Sequence, residues 1–421
     1  MTSLLAFLRT FTGSLIGGGI PIFILEHWKS NFYSGLSVSA IAVTYIFSPI
    51  IFGKLSDRIG RRKSLLIATT GNFTLACLFF SCNFLINLPS TAWVLPFILI
   101  LRALEGTING LFWPILQSNI SDLTLTYSRN EKELREKLTR KGIGIYNLGW
   151  NGGILSGALL FSLLLSIDRL DLVLTVPIFS NGLNFFLVIF LFVEQKHYIE
   201  NNKENLEKSI ISKDSSERKR NSNGIRLLLG NKMIISGIIY ILFYGLVLGV
   251  ITTTTTNLYK SKDLAMLIGL LDALRLALQA TSSSKIRFEK TNILFKVTGI
   301  FIALIGIFVA LILSTMYFSP VAFLVIYPCT GFLMGIIYTE AMAILVAGKD
   351  DKKKGFLMGI FESMIGVGFF IGPLVAGYIT EYFSYALSYT AGLFSIFFLL
   401  LVSLIIKFIS RKKEKVAPRH E

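Results

Sequence analysis

Gly53-Lys54-Leu55-Ser56-Asp57-Arg58-Ile59-Gly60-Arg61-Arg62-Lys63 is a short basic segment set between two long apolar runs. Gly60 permits a tight turn, and Gly53 allows a neighbouring helix to approach closely. Asp57 can accept hydrogen bonds from the start of another helix, where the helix dipole favours an anion. A charged turn of this kind, with apolar runs on both sides, is what a chain needs in order to cross a membrane and return.

Outward from this turn the same alternation continues. Of 421 residues, 53% are hydrophobic and 16% charged, with a mean hydropathy of +0.66. A soluble globule carries about 25% charge. A spanning helix needs about 20 apolar residues. Twelve such spans are predicted, at 3–25, 34–53, 64–87, 92–117, 142–165, 172–193, 232–251, 263–283, 292–314, 320–346, 355–378 and 386–408. The polar stretch 194–231 reads as a flexible cytoplasmic linker between two six-span units, 1–193 and 232–408, with a basic tail at 409–421. This composition excludes a soluble enzyme, a secreted scaffold and a disordered chain. The first apolar run is too long for the core of a cleavable signal.

The net charge of +16 does not indicate nucleic acid, because the basic residues sit in the turns between spans. With the linker placed inside, 34 Lys and Arg lie on the inner side and four on the outer side: Lys29, Arg169, Lys260 and Lys262. That asymmetry predicts cytoplasmic termini. Cys77, Cys82 and Cys329 fall in apolar segments with no metal-site spacing. No phosphate-binding Gly-x-x-x-x-Gly-Lys-Ser/Thr occurs, so ATP is not the driver, and neither cofactor nor metal is expected. The halves also look duplicated. Gly106 and Gly110 of span four recur as Gly331 and Gly335 of span ten. Gly149 and Gly153 of span five recur as Gly368 and Gly372 of span eleven.

The Gly53–Lys63 segment resembles the loop signature of the major facilitator superfamily, and the resemblance in topology covers essentially the whole chain. It implies an all-α membrane protein with twelve helices in two pseudo-symmetric bundles, monomeric and embedded in the lipid bilayer of the plasma membrane. It also implies a latch between the halves. Asp57 would sit against the start of span eleven, and Arg61 would pair with Asp122 at the end of span four, with Gly53, Arg58, Gly60 and Arg62 in support. Without the resemblance, Arg58, Arg61, Arg62 and Lys63 read simply as topology anchors. Arg102-x-x-x-Gly106-x-x-x-Gly110 resembles the family's fourth-helix motif associated with proton coupling. In span five, Ile154 stands where many antiporters of the family carry proline.

Within the spans, six charges are singled out: Arg102, Glu105, Asp272, Arg275, Glu340 and Glu362. A charge at a helix centre costs about 2.5–3.5 kcal/mol on insertion scales, so each needs a partner or a function. Arg102/Glu105 and Asp272/Arg275 are three apart on one helix and share a face. Each couple reads either as a local ion pair or, with Glu340, as part of a proton path. Glu340 lies about 12 Å along its helix from the inner end of span ten. Glu362 reads as a gate residue near the latch end of span eleven. Asn109, Trp113, Gln117, Tyr146, Asn147, Trp150 and Tyr338 are candidates for the solute site, although single aromatics in a bundle also serve as packing. Residues Arg129–Lys141 carry three Glu-first i,i+4 pairs and predict a separate short surface helix.

The expected function is secondary active transport of a small organic, amphipathic solute by alternating access. Proton coupling is expected, and efflux is slightly favoured over uptake by symport or facilitation. A sensor or lipid scramblase on the same fold is the alternative from another class.

Overall fold

A computed structural model describes residues 1–88, 92–128, 132–192, 232–261, 266–285, 302, 305–306, 320–346 and 354–416. Its helices are α1 (Thr2–Trp28), α2 (Asn31–Tyr45), α3 (Ser48–Ile59), α4 (Arg61–Leu85), α5 (Val94–Ser128), α6 (Lys132–Ser166), α7 (Leu170–Leu191), α8 (Lys232–Ser261), α9 (Met266–Lys285), α10 (Pro320–Val346), α11 (Lys354–Tyr382) and α12 (Tyr385–Val416). Among the described residues there is no strand. Nine stretches there are long and apolar enough to cross a membrane, matching spans one to seven, eleven and twelve, and Leu324–Tyr338 of α10 is a shorter apolar stretch. The predicted linker and most of span nine lie outside the described residues.

Two predicted elements differ from the structure. Span two is not one helix but α2 followed by α3, because Pro49 has no amide to offer the preceding turn. The surface helix predicted over 129–141 is not separate. From Lys132 onward it is the opening of α6, which runs on without a break to Ser166.

The duplication read in the sequence reappears as packing. Gly149 and Gly153 of α6 lie against the Ser3 and Phe7 carbonyls of α1. Gly368 and Gly372 of α11 lie against the Leu242 and Leu246 carbonyls of α8 in the same way. Gly106 of α5 abuts the Ile41 carbonyl of α2, and Gly331 of α10 abuts the Arg275 carbonyl of α9. Spans one, two, four and five are therefore packed like spans seven, eight, ten and eleven. A Cβ at any of these six glycines would overlap a backbone oxygen. Gly153→Ala is expected to cost about 1–3 kcal/mol through overpacking. Gly17→Ala is the control, since a Cβ there meets nothing within 4 Å. Thermal unfolding in detergent should lower the midpoint for Gly153→Ala only.

Polar side chains fix α7 in the first unit. On α7, Ser180 Oγ donates to Leu8 O (3.2 Å), Asn181 Nδ2 to Asn72 O (3.2 Å) and Asn184 Nδ2 to Leu5 O (3.4 Å). In an apolar surround such bonds hold helices together where hydrophobicity alone does not.

The two units meet at the end of the molecule that carries the α1–α2 turn. There Gly35 of α2 lies against Pro373 O and Gly377 of α11. Gly269 N of α9 donates to Ser162 Oγ of α6 at 2.6 Å. A continuous apolar core spans the junction, including Leu15 and Ile22 of α1, Phe161 of α6, Val247 and Ile251 of α8 and Leu271 of α9. This end of the molecule is closed.

Candidate functional site

The first unit carries a buried charge network between α1 and α5. Arg9 of α1 is 2% exposed and Arg102 of α5 is 1% exposed. Glu105 lies between them. Arg9 Nη2 reaches Glu105 Oε1 at 2.8 Å, and Arg102 Nη1 reaches Glu105 Oε2 at 2.6 Å. Arg9 Nε donates to Asn109 Oδ1 (2.9 Å), and Arg102 Nε donates to Ser37 O of α2 (3.2 Å). Positions 102, 105 and 109 follow the helical spacing that places residues on one face. Each carboxylate oxygen thus serves a different guanidinium, and the two cations share one anion. A buried charge is stable only when paired and hydrogen-bonded, so α1, α2 and α5 are tied together through Glu105.

Arg9 is the member of this network that the sequence reading misses. It is a further charge deep in a predicted span, and Arg102/Glu105 is not an isolated couple. The signal was present, since Arg9 is a bare charge inside the apolar run 3–25. Three Lys and Arg remain once inner and outer loops are counted, and Arg9 is one of them.

The second unit holds a different arrangement. Arg275 Nε of α9 reaches Asp272 Oδ1 at 3.1 Å, as the spacing predicts. Arg275 Nη1 donates to Gln279 Oε1 (3.3 Å), and Gln279 Nε2 donates to Tyr244 OH of α8 (3.1 Å). The Tyr244 ring lies 5.3 Å from Tyr338 of α10, which lies 5.5 Å from Phe361 of α11. The next residue, Glu362, accepts a 2.9 Å hydrogen bond at Oε2 from Tyr45 OH. Tyr45 ends α2, just before the Pro49 break. One string of polar and aromatic contacts therefore runs from α9 through α8, α10 and α11 to α2, passing from one unit to the other. Tyr45, Tyr338 and Glu362 of this string are half-buried, while Tyr244 and Phe361 are buried.

The other predicted site residues fall in several places. Tyr338 and Glu362 belong to the string. Asn109 belongs to the Arg9 network rather than standing apart. Trp113 meets Phe112 edge-on at 5.1 Å, and Trp113 and Trp150 pack on an apolar core in which Tyr146 is buried. In the basic turn, Gly60 has φ 94°, a conformation that favours glycine, and joins the end of α3 to the start of α4. Arg61 Nη1 donates to Ser56 Oγ (2.8 Å) and Arg62 Nη2 to Ile189 O (2.7 Å), while Arg58 is exposed. The side chains at Gly53, Asp57, Gln117, Asp122, Asn147 and Glu340 lie outside the described residues. Among the described residues no group of His, Cys, Asp or Glu could hold a metal ion.

The sequence matches the family model described as Major Facilitator Superfamily over residues 2–347 and 295–421. The fold is similar to that of the inward open xylose transporter XylE from E. coli, with TM-score 0.67, 15% identity and 94% of each chain covered. It is also similar to a mutant form of the nucleoside transporter NupG, with TM-score 0.65, 12% identity, and 97% of this chain and 98% of that chain covered. A bacterial homologue of the human drug peptide transporters PepT1 and PepT2 gives TM-score 0.62 at 14% identity, with 98% of each chain covered. No curated protein matches the sequence.

Proposed function

The chain belongs to the major facilitator superfamily, and from that membership we propose a secondary transporter that moves a small organic, amphipathic solute by alternating access. One observation carries the reading beyond the family. The two packed repeats are joined at one end by bare backbone at Gly35, while half-buried Tyr45, Tyr338 and Glu362 link them further along. A junction of this kind can part while each unit keeps its own packing.

The units are residues 1–193 and 232–408, joined by the linker 194–231 and followed by the tail 409–421. The charge asymmetry of the loops supports cytoplasmic termini, with the closed end facing outside. The protein would then reside in the plasma membrane as a monomer. The solute would meet Tyr45, Tyr338 and Glu362, with Asn109, Trp113, Gln117, Tyr146, Asn147 and Trp150 on the side of the first unit. Gly53, Asp57, Arg58, Gly60, Arg61, Arg62 and Asp122 would form the latch at the other end.

The charge networks support coupling to protons. A proton delivered to Glu105 would leave Arg9 and Arg102 as like charges in a buried site. That change would loosen α1 from α5. Glu340 and Asp272 are the other carboxylates on this path. The working direction is efflux. Uptake by symport is the second reading, supported by Ile154 in place of the antiporter proline and by an unbroken α6.

The test is proton movement into proteoliposomes holding a trapped pH dye, challenged with cationic, neutral and anionic solutes. A solute-dependent proton flux is expected, and it should vanish when Glu105→Gln and Glu340→Gln are combined. Flux unchanged in that double variant would remove the coupling. Absence of solute movement across the panel, with the protein folded, would remove the transport reading.

A further inference from the structure

The closed end is held by more than glycine packing. Asn31 is the first residue of α2, and its amide is among those that a helix start leaves without an internal partner. Ser30 Oγ accepts from Tyr33 N at 3.3 Å, which satisfies one such donor. Asn31 N is satisfied from the other unit, donating to Glu381 Oε2 at 2.7 Å. Glu381 is the last residue but one of α11. A carboxylate is the favoured partner at a helix start, where the dipole and the open amides both attract an anion. Two further bonds at the same helix start also come from the second unit. Tyr385 OH of α12 donates to Asn31 Oδ1 at 3.4 Å, and Ser34 Oγ donates to Asn257 Oδ1 of α8 at 2.8 Å. Gly377 lies against Asn31 O, and Gly35 against Pro373 O. No part of α2 can move away from α11 here without removing Glu381 from the helix start.

We infer that Glu381 is a gating residue of the transport cycle: its carboxylate caps α2 only while this end is shut, and the bond is broken each time the site opens to this side. The inference rests on the alternating-access reading above. Glu381 is exposed, so its carboxylate is hydrated when the gate opens, and the bond can form and break repeatedly. The same exposure keeps the effect modest. Loss of the charge should raise the open-to-closed ratio at this end about fivefold, as expected for an anion at a surface helix start.

The test uses the full chain in liposomes with the native cysteines replaced and spin labels at Tyr33→Cys and Tyr382→Cys, both exposed positions. The distance distribution between the labels reports the gate. In Glu381→Gln the longer-distance population should rise about fivefold, the size of a helix-start charge effect. Glu381→Asp should restore it, and the thermal midpoint should stay unchanged in both. A purely structural role would instead lower the midpoint without changing the ratio. If unsubstituted protein exchanges between two distances and Glu381→Gln does not alter their ratio, the inference is overturned while alternating access stands. If unsubstituted protein holds one distance in the presence and absence of every transported or tested solute, alternating access fails and the inference fails with it.

Discussion

Glu105→Ala is expected to destabilise the protein by about 3–5 kcal/mol, the cost of breaking a buried ion pair by removing one partner. Glu105 is the single anion held by both Arg9 and Arg102. Without it, two guanidiniums remain in a site where they are 2% and 1% exposed. Each retains one neutral acceptor, Asn109 Oδ1 for Arg9 and Ser37 O for Arg102, and neither acceptor carries charge. The expected readout is a large drop in detergent unfolding midpoint together with poor membrane insertion. Glu105→Gln should cost less, because its amide oxygen can still accept from one arginine. The triple change Arg9→Met, Arg102→Met and Glu105→Leu removes the charges along with their desolvation cost. It should recover most of the stability while abolishing proton coupling. A triple variant as unstable as Glu105→Ala would show that shape, not charge, is what the site requires.

Gly35→Leu is expected to force the closed end apart. A Cβ at position 35 overlaps the Pro373 carbonyl, and Gly377 Cα stands 3.2 Å away. Neither is the end of a flexible side chain, so the closed state must absorb the clash in its backbone. Overpacking of this kind costs about 1–3 kcal/mol. The open state does not contain the contact, so the cost falls on one state alone. The open-to-closed ratio should therefore rise roughly 5- to 150-fold, taking tenfold per 1.4 kcal/mol. The check is labelling of Ser34→Cys by an impermeant thiol reagent, in protein whose native cysteines are replaced. Ser34 is fully buried in the closed state, against Asn257 of the second unit. Fast labelling in the Gly35→Leu background and slow labelling without it is the expected result. Equal, slow labelling would mean that α2 and α11 stay together and the helix bends instead.

The two variants separate what was legible in the sequence from what was not. The glycine pairs were visible as repeats, because a bare backbone position leaves an identity in the sequence. Their partners were not, since Gly149 reads the same whether it faces α1 or lipid. Likewise, Asp272 and Arg275 could be paired from spacing alone, as they share one helix face. The partnership of Arg9 with Glu105 joins residues 96 apart, and no local rule reaches that far. Tyr45 and Glu362, 317 apart, meet where α2 runs beside α11, a pairing that no local pattern encodes. Trp113 and Trp150 read from sequence as either solute contacts or packing, and the structure sets both, half-buried, against an apolar core.

The sequence by itself determined the membrane class, the predicted spans and the family, because each rests on local quantities. Those quantities are the length of an apolar run, the charge of the turn after it and the residues of one short motif. The tertiary structure alone decided which charge neutralises which, where the two repeats touch, and which carboxylate caps which helix. These are long-range contacts. In hydrocarbon, a polar group must find a partner wherever the fold brings one, and that place is set by how the helices pack together.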